Sequence, residues 1–432
     1  MKESSLKRTL TPTLLWGLGV GYVISGMYFG WNLGLEKGGT LGMAMATVLV
    51  IILYTCFSFS YAELACAIPK AGGAYDYAAR AFKKDIGFIT GLAQIIEFVF
   101  APPAIAIAIG AYLNLAFPQV PILGAAITVY LIFTGLNIYG VKAAANFELI
   151  ITILAVGELL LFSTLSLPHF SVTHFTQNPF PHGWGGAFAA IPFAIWFFLG
   201  IEGVANVAEE TIHPQKDIIK GFGWALLTLV ILCILVFIAA IGVGGWESIV
   251  YAADGTSSDS PLPLALGRIF SSSHVFYKLL VGIGLFGLIA SFHGLLLASG
   301  RATFEFGKIG NAPKFLGQVH PRFQTPANAL IFNSIFGILI LCTGKTAEII
   351  ILSVFGALTL YILSMLSLLK LRSTSPELHR PFRVPLYPFT PVIALILAII
   401  CFIALCVYNA QLAVYYFALL AFFFLIFKIF KK

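Results

Sequence analysis

The chain has 432 residues, of which 59% are hydrophobic and only 10% are charged, and its mean hydropathy is +0.96. A soluble domain has too little interior to bury so much apolar side chain, so the composition excludes a soluble globular protein and indicates a polytopic membrane protein. The net charge of +7 does not predict a nucleic-acid partner, because in such a protein the placement of the basic residues matters more than their sum.

Stretches of about 20 apolar residues, the length that crosses the hydrocarbon core, occur repeatedly along the chain. Twelve spans are predicted, at residues 13–35, 41–67, 86–113, 121–140, 144–166, 187–208, 219–243, 276–300, 326–343, 347–370, 387–408 and 411–428. The six cysteines all fall within these apolar spans and lack the spacing of a disulfide framework or a zinc site. We therefore predict an all-α integral membrane protein with no metal and no cofactor.

The basic residues indicate how this arrangement lies in the bilayer. With the N-terminus in the cytoplasm, 21 of the 25 lysines and arginines fall on the cytoplasmic side. The four on the other side are Lys37, Arg268, Lys278 and Lys345. Because cytoplasmic loops are enriched in basic residues, this bias predicts a multi-pass protein of the cell (inner) membrane with both termini in the cytoplasm. The stretches 69–85 and 260–270 are each open to two interpretations, an interfacial helix or an ordinary solvated loop.

The first span carries three glycines, Gly26, Gly30 and Gly34, at a spacing of four. That spacing is typical of close helix packing, and it also permits a break in the helix. The sixth span, residues 187–208, is interrupted midway by a glycine–isoleucine–glutamate–glycine sequence that begins at Gly200. Interrupted helices at corresponding places in two halves indicate a transporter binding site near the middle of the membrane.

The paired interruptions predict two five-helix repeats of opposite topology. The first repeat covers about 13–166 and the second about 187–370, and accessory helices follow at about 387–428. The breaks are expected near residues 25–28 and 199–203, where half-helix ends would expose backbone groups to a small polar solute. The predicted substrate-binding residues are Ser25, Gly26, Met27, Glu97, Phe197, Phe198, Gly200, Ile201 and Glu202.

Ionisable residues inside the predicted spans are costly to bury, so each needs a partner or a function. Glu97, Glu158 and His293 are candidates for proton coupling. Each has a structural alternative, a protonated glutamate bonded to a neighbouring helix or a satisfied core histidine. Glu63 and Glu148 lie nearer the ends of their spans and are predicted to be structural anchors. The aromatic pair Phe197 and Phe198 is open to a gating or cation–π role and to simple packing.

Four sequence blocks resemble the amino acid–polyamine–organocation superfamily over most of the chain. They are "ISGMYF" (24–29), "AELACAIPKAGGAYDYAARAF" (62–82), "FFLGIEGVANVAEETIHPQKDI" (197–218) and "SGRATFEFGKIGNAPKFLGQVHPRFQTPANAL" (299–330). Within the superfamily, the first of these blocks with its flanks and the stretches 97–112 and 291–301 look most like ethanolamine permeases. The resemblance implies a leucine-transporter-type fold of ten core helices plus two, and secondary active transport.

Two departures from the superfamily pattern bear on coupling and substrate. Some relatives carry a lysine in the fifth helix that stands in for a sodium ion, and Ala155 occupies the aligned position here. Relatives that take amino acids hold the carboxylate on a glycine–serine–glycine turn, in which Ile24 replaces the first glycine here. The second departure favours an amine such as ethanolamine over a full amino acid.

The predicted function is a proton-coupled importer of a small amine or amino acid, embedded in the lipid bilayer. A general amino acid permease or exchanger is the first alternative, and a non-transporting sensor or channel on the same fold is the second. An enzyme is not predicted, because the sequence contains no zinc-protease HExxH, no GxSxG and no Walker lysine.

Overall fold

A computed structural model describes residues 8–139 and 144–430 of the chain. Its helices are α1 (Pro12–Val23), α2 (Ser25–Tyr28), α3 (Asn32–Ala67), α4 (Ala74–Ala81), α5 (Lys84–Ala116), α6 (Ile122–Tyr139), α7 (Ala144–Ser166), α8 (Val172–Phe175), α9 (Gly183–Trp196), α10 (Pro214–Gly244), α11 (Glu247–Val250), α12 (Pro261–Leu266), α13 (Val275–Lys308), α14 (Ala327–Leu341), α15 (Thr346–Thr374), α16 (Phe389–Tyr408) and α17 (Ala410–Phe430). Short 3₁₀ segments occupy Leu167–His169, Ile201–Glu210 and Lys314–Gly317. The only β structure in these ranges is two isolated bridges, so the described chain is all-helical.

Ten helices of the described chain are long and apolar enough to cross a membrane. Two predicted spans are not among these ten helices. The first predicted span is interrupted, and the ninth corresponds to α14, which has only 15 residues. The helix α3 joins the end of the first predicted span to the second across Gly39, whose φ is 63°. The all-α membrane class is confirmed, whereas the count of twelve spans and the inverted repeat remain predictions.

The first break lies slightly beyond the predicted residues 25–28. Those residues form the single turn α2, which follows α1 through Ile24 in helical geometry, and the non-helical backbone lies after it at Phe29 and Gly30. Phe29 is extended and Gly30 has a φ of 88°, a conformation that glycine adopts without strain. The glycine at position 30 therefore permits the break between the end of α2 and the start of α3.

The second break agrees closely with the predicted residues 199–203. The helix α9 ends at Trp196, and Gly200 adopts a left-handed φ of 97° before the 3₁₀ segment Ile201–Glu210 begins. A 3₁₀ turn has poorer hydrogen-bond geometry than an α-turn and is seldom longer than four residues. The segment here is not one regular helix, because Val207 leaves helical geometry with φ −102° and ψ 15°, so short turns lie on either side of a kink.

The close-packing interpretation of the first-span glycines is also confirmed. A Cβ atom at Gly26 would overlap the carbonyl oxygen of Trp196, and one at Gly30 would lie 2.5 Å from the Trp196 indole nitrogen. A Cβ atom at Gly34 would lie 2.9 Å from Phe193. The three glycines therefore seat the broken first helix directly against α9 and bring the two breaks together.

One end of the bundle is closed by the segment before α1, and we call it the N-terminal face. Leu10 forms a parallel bridge with Thr211, and the backbone nitrogens of Thr9 and Leu10 donate to the Glu210 carbonyl oxygen. The Glu210 carboxylate in turn lies 2.9 Å from the Arg301 guanidinium of α13. These contacts tie the chain start to the end of the second broken helix.

Glu63 is held near the end of α3 by a cluster of cations. Its carboxylate is fully buried and lies 2.7 Å from Arg372 and 3.4 Å from Arg380, and it accepts a hydrogen bond of 2.7 Å from the Val384 nitrogen. This arrangement is the structural anchor that the sequence predicts, and it fastens the segment before α16 to α3.

The opposite end, which we call the loop face, is covered by the connection between α10 and α13. The amide of Asn32, at the start of α3, donates to the carbonyl oxygens of Ile249 and Ser258, 3.3 and 2.8 Å away. The Thr346 hydroxyl donates to Asp259, 3.1 Å away. The connection contains the helices α11 and α12, so part of the stretch 260–270, Pro261–Leu266, is helical and largely buried in the protein, whereas its place at a membrane interface stays a prediction.

The packing of this connection is expected to depend on pH through Asp259. Burial raises the pKa of its carboxyl to about 6, and the Thr346 hydroxyl partly opposes that rise. An exposed aspartate has a pKa near 3.9, so the packed form is strongest below about pH 4 and weakens as the pH rises to about 6, by roughly tenfold per pH unit. A spin-label distance between positions 256 and 348 should lengthen from pH 4 to pH 7. The variant Asp259→Asn should show one constant distance, and an equal response in wild type and variant would contradict this assignment.

Candidate functional site

The two breaks converge on a pair of buried carboxyl groups, Glu97 of α5 and Glu202 of the 3₁₀ segment. Both residues are fully buried, and their carboxyl groups contact each other. Glu97 is positioned by α15, because the Ser353 hydroxyl donates to its carbonyl oxygen over 2.9 Å. Gly356 permits this approach, since a Cβ atom there would lie 2.5 Å from the Ala93 oxygen. The structure therefore brings together two glutamates that lie more than one hundred positions apart.

Aromatic side chains enclose the Glu202 carboxyl group. The Tyr361 hydroxyl donates to Glu202 Oε2 over 3.0 Å and lies 2.9 Å from the Tyr54 hydroxyl. The ring of Phe198 lies 5.2 Å from that of Tyr54, and Phe57 lies 4.1 Å from Tyr361. These rings pack against one another and exclude water from this region of the bundle.

Three carboxyl oxygens of the pair have no hydrogen-bond donor from outside the pair. Glu97 Oε1, Glu97 Oε2 and Glu202 Oε1 are buried, and no N–H or O–H group of another described residue bonds to them. Two carboxylates in contact repel, so at least one must be protonated or a cation must lie between them. The arrangement is suited to an ammonium group, which supplies the missing donors and the compensating charge in one step.

The backbone N–H groups at the first break are largely occupied by protein atoms. The Ser291 hydroxyl of α13 accepts from the Ser25 nitrogen over 2.9 Å and donates to the Gly21 carbonyl oxygen over 2.6 Å. The Gly30 nitrogen donates to Asn32 Oδ1 over 3.0 Å. A substrate carboxylate would therefore have to displace Ser291 in order to bind at Ser25.

The remaining predicted binding residues lie around the breaks and are all buried. The Met27 carbonyl oxygen accepts from the Trp31 indole over 3.2 Å. Phe197 stacks on Trp31 at 5.4 Å, so it faces the outer part of the broken first helix and not the carboxyl pair. The Gly200 carbonyl oxygen accepts from Gly203, whereas Ile201 begins the 3₁₀ segment beside Glu202.

Glu158, a second candidate for proton coupling, lies in the fifth predicted span and is separate from the Glu97–Glu202 pair. The Tyr28 hydroxyl donates to Glu158 Oε2 over 2.6 Å. Tyr28 belongs to α2 and packs against Gly284 of α13. Glu158 therefore connects α7 to the broken first helix.

His293, the third candidate for proton coupling, is paired with Glu148. Its Nδ1 lies 3.1 Å from Glu148 Oε2, and both side chains are buried. The sequence placed Glu148 among the anchors and His293 among the proton carriers, and the structure joins them as one unit.

Several residues of this region were not predicted from the sequence. Tyr54 and Tyr361 line the carboxyl pair, and Ser291 bridges the first break. A tyrosine or serine in an apolar span is usually satisfied locally, so residue type alone gave no signal. The sequence signal at Ser291 is the stretch "SFHGLLLASGR" (291–301), which resembles ethanolamine permeases.

A cavity of about 210 Å³ at the N-terminal face reaches toward the pair. Its polar lining comprises Lys70, Asp76, Gln94, Glu209, Glu305 and Lys308. Gln94 lies one helical turn before Glu97, and its amide donates to Asn206 over 3.0 Å. Outside the spans, burial raises the pKa of Asp76 in this cavity, and Lys70 partly opposes the rise.

A comparison with protein families matches residues 13–429 to the family described as "Amino acid permease". The chain belongs to this family. An uncharacterized transporter of Rhizobium meliloti is 29% identical to this permease over 409 residues, which cover 92% of this chain and 85% of that protein. The branched-chain amino acid permease of Bacillus subtilis is 27% identical over 91% of this chain and 87% of its own length. The low-affinity putrescine importer of Escherichia coli is 25% identical over 84% of this chain and 81% of its own length.

Proposed function

We propose that this permease is a proton-coupled secondary active transporter that imports a small amine such as ethanolamine. The single observation that carries the proposal is the Glu97–Glu202 pair, which has three buried carboxyl oxygens without a donor from outside the pair. An ammonium group satisfies these oxygens and is stabilised further by the surrounding rings. Putrescine, the substrate in the name of the Escherichia coli importer, is also an amine, which supports this substrate class.

The preference for an amine over an amino acid rests on the first break. The N–H group of Ser25, which could receive a carboxylate, already donates to Ser291. A carboxylate would also enter beside two acidic side chains, and like charges at close range oppose binding. The hydroxyl group of ethanolamine needs only one donor–acceptor partner, and the side-chain hydroxyl of Ser25 supplies one.

The transport cycle follows from the two breaks. We infer an inverted repeat of residues 13–166 and 187–370, with residues 387–428 as accessory helices, in which the repeats rock around the carboxyl pair. The basic-residue bias supports an inner-membrane protein with both termini in the cytoplasm. Entry then takes place from the loop face and release through the cavity at the N-terminal face. The candidates for the transported proton are Glu97, Glu158 and His293.

A general amino acid permease is the second candidate function. The branched-chain amino acid permease of Bacillus subtilis, which aligns over most of both chains, favours it. In that case Ser291 would have to release Ser25 when substrate arrives.

Uptake into proteoliposomes tests the proposal. Labelled ethanolamine, valine and putrescine would be supplied with an inward proton gradient, with a sodium gradient, and with no gradient. We expect accumulation of ethanolamine only under the proton gradient and its loss when a protonophore is added. Accumulation of valine without ethanolamine would favour the amino acid permease, and downhill flux alone would indicate a channel.

A further inference from the structure

The Glu148–His293 pair lies at a joint between three helices. Glu148 belongs to α7 and His293 to α13, and their side chains are 1% and 9% exposed. The third helix is α1, which contributes Gly21. A Cβ atom at Gly21 would lie 2.5 Å from Glu148 Oε1 and 2.9 Å from the Thr152 hydroxyl. The carboxyl group of Glu148 therefore lies against the backbone of α1.

One oxygen of this pair is left without a partner. Glu148 Oε1 is buried and has no hydrogen-bond donor among the described residues, whereas Oε2 contacts His293. The other titratable side chain that faces Glu148 is Tyr22 of α1, and the more distant charges of Arg301 and Glu210 act on Tyr22 as well. On the side of α6 and α7, the rings of Phe133 and Phe147 pack against the imidazole. Within residues 8–139 and 144–430, the one cation in contact with the carboxylate is His293 in its protonated form.

The charge at the joint therefore depends on a single proton. With that proton, the pair is neutral overall, either as carboxylate and imidazolium or as carboxylic acid and imidazole. Without it, an uncompensated carboxylate remains buried against Gly21, which is strongly unfavourable. Loss of the proton is therefore expected to weaken the packing of α1 against α7 and α13.

The turn of α13 that contains His293 also contacts the backbone at the first break. Ser291 lies two residues before His293 and binds both the Gly21 carbonyl oxygen and the Ser25 nitrogen. A movement at the Glu148–His293 joint is therefore transmitted to the residues that flank the substrate. The joint contacts α1, α7 and α13, whereas the Glu97–Glu202 pair lies among α3, α5, α15 and the 3₁₀ segment.

We propose that Glu148 and His293 together form the binding site of the transported proton, separate from the Glu97–Glu202 pair that binds the ammonium group. This inference rests on the proposed proton-coupled function and assigns its proton to one site. Proton binding holds α1 in place, and release of the proton frees α1 to move.

The test uses full-length Glu148→Gln and His293→Asn in proteoliposomes. We expect each variant to lose at least tenfold in ethanolamine accumulation under a proton gradient and to keep ethanolamine exchange without a gradient within twofold of wild type. The exposed residues Glu247 and His274 provide the matched controls Glu247→Gln and His274→Asn, which should behave as wild type. Normal accumulation by Glu148→Gln would overturn the inference, and loss of exchange together with accumulation would show a structural role only.

Failure of the proposed function gives a different result. Wild-type protein that does not accumulate substrate under a proton gradient refutes the coupling and this inference with it, whereas accumulation by both wild type and variants refutes this inference alone. If the variants do not assemble, hydrogen exchange of residues 12–23 in wild type decides the question. After correction for intrinsic rates, exchange should accelerate as the pH rises, and a constant rate would overturn the proposal.

Discussion

Replacement of Gly26 by alanine is expected to weaken substrate binding by roughly 5- to 150-fold. The added Cβ would overlap the Trp196 carbonyl oxygen and lie 3.1 Å from the Phe197 Cα, so backbone atoms and not a flexible side chain would have to move. Overpacking of this kind costs about 1–3 kcal/mol, which corresponds to roughly 5- to 150-fold in affinity when the strain falls on the bound state. Calorimetric titration of ethanolamine into purified protein measures the effect.

A glycine in open space provides the control for this substitution. A Cβ atom at Gly223 of α10 would meet nothing within 4 Å. Gly223→Ala should bind as wild type and should be slightly stabilised, because alanine favours the helix by about 0.5–1 kcal/mol. Unchanged binding by Gly26→Ala would show that the two breaks need not touch in order to form the site.

Glu202→Gln and Glu97→Gln are each expected to weaken ethanolamine binding by roughly ten- to a hundredfold. Either change removes one charge-assisted hydrogen bond to the ammonium group, which contributes about 1.5–3 kcal/mol. The amide occupies nearly the same volume as the carboxyl group, so the packing around the Tyr361 hydroxyl is retained. The measurement is the Kd at constant pH in each variant.

The exposed Glu348 of α15, which pairs with Lys345 at 2.8 Å, offers a charge-matched control for the carboxyl pair. Glu348→Gln should leave the Kd unchanged. If both Glu97→Gln and Glu202→Gln bind ethanolamine with the wild-type Kd, the carboxyl pair is not the ammonium site.

The sequence predicted the parts of the fold that depend on local composition. Long apolar runs gave the membrane helices, and the glycines around positions 26–34 and 200–203 indicated both the interruptions and the close packing. The first break was misplaced by a few residues because glycine frequency identifies where a helix can break, whereas tertiary contacts decide where it does. Here the Ser291 hydroxyl and the left-handed Gly30 determine the position.

The composition of the site was harder to predict than its general place. Burial cost identified Glu97, Glu202 and His293 as residues that need an explanation, but it could not pair them. The partnership of Glu148 with His293 spans 145 positions, and that of Tyr361 with Glu202 spans 159. Such pairs depend on how helices cross in the folded bundle, which no local pattern encodes.

The most direct test of the central claim, that a substrate ammonium group binds between Glu97 and Glu202, is a binding comparison of ethanolamine, alanine and lactate with the wild-type protein. Ethanolamine has the ammonium and hydroxyl groups, alanine adds a carboxylate to the ammonium, and lactate has a carboxylate and a hydroxyl without an ammonium. We predict that ethanolamine binds, that alanine binds at least tenfold more weakly, and that lactate does not compete with ethanolamine. Tight binding of alanine with no detectable binding of ethanolamine would contradict the account.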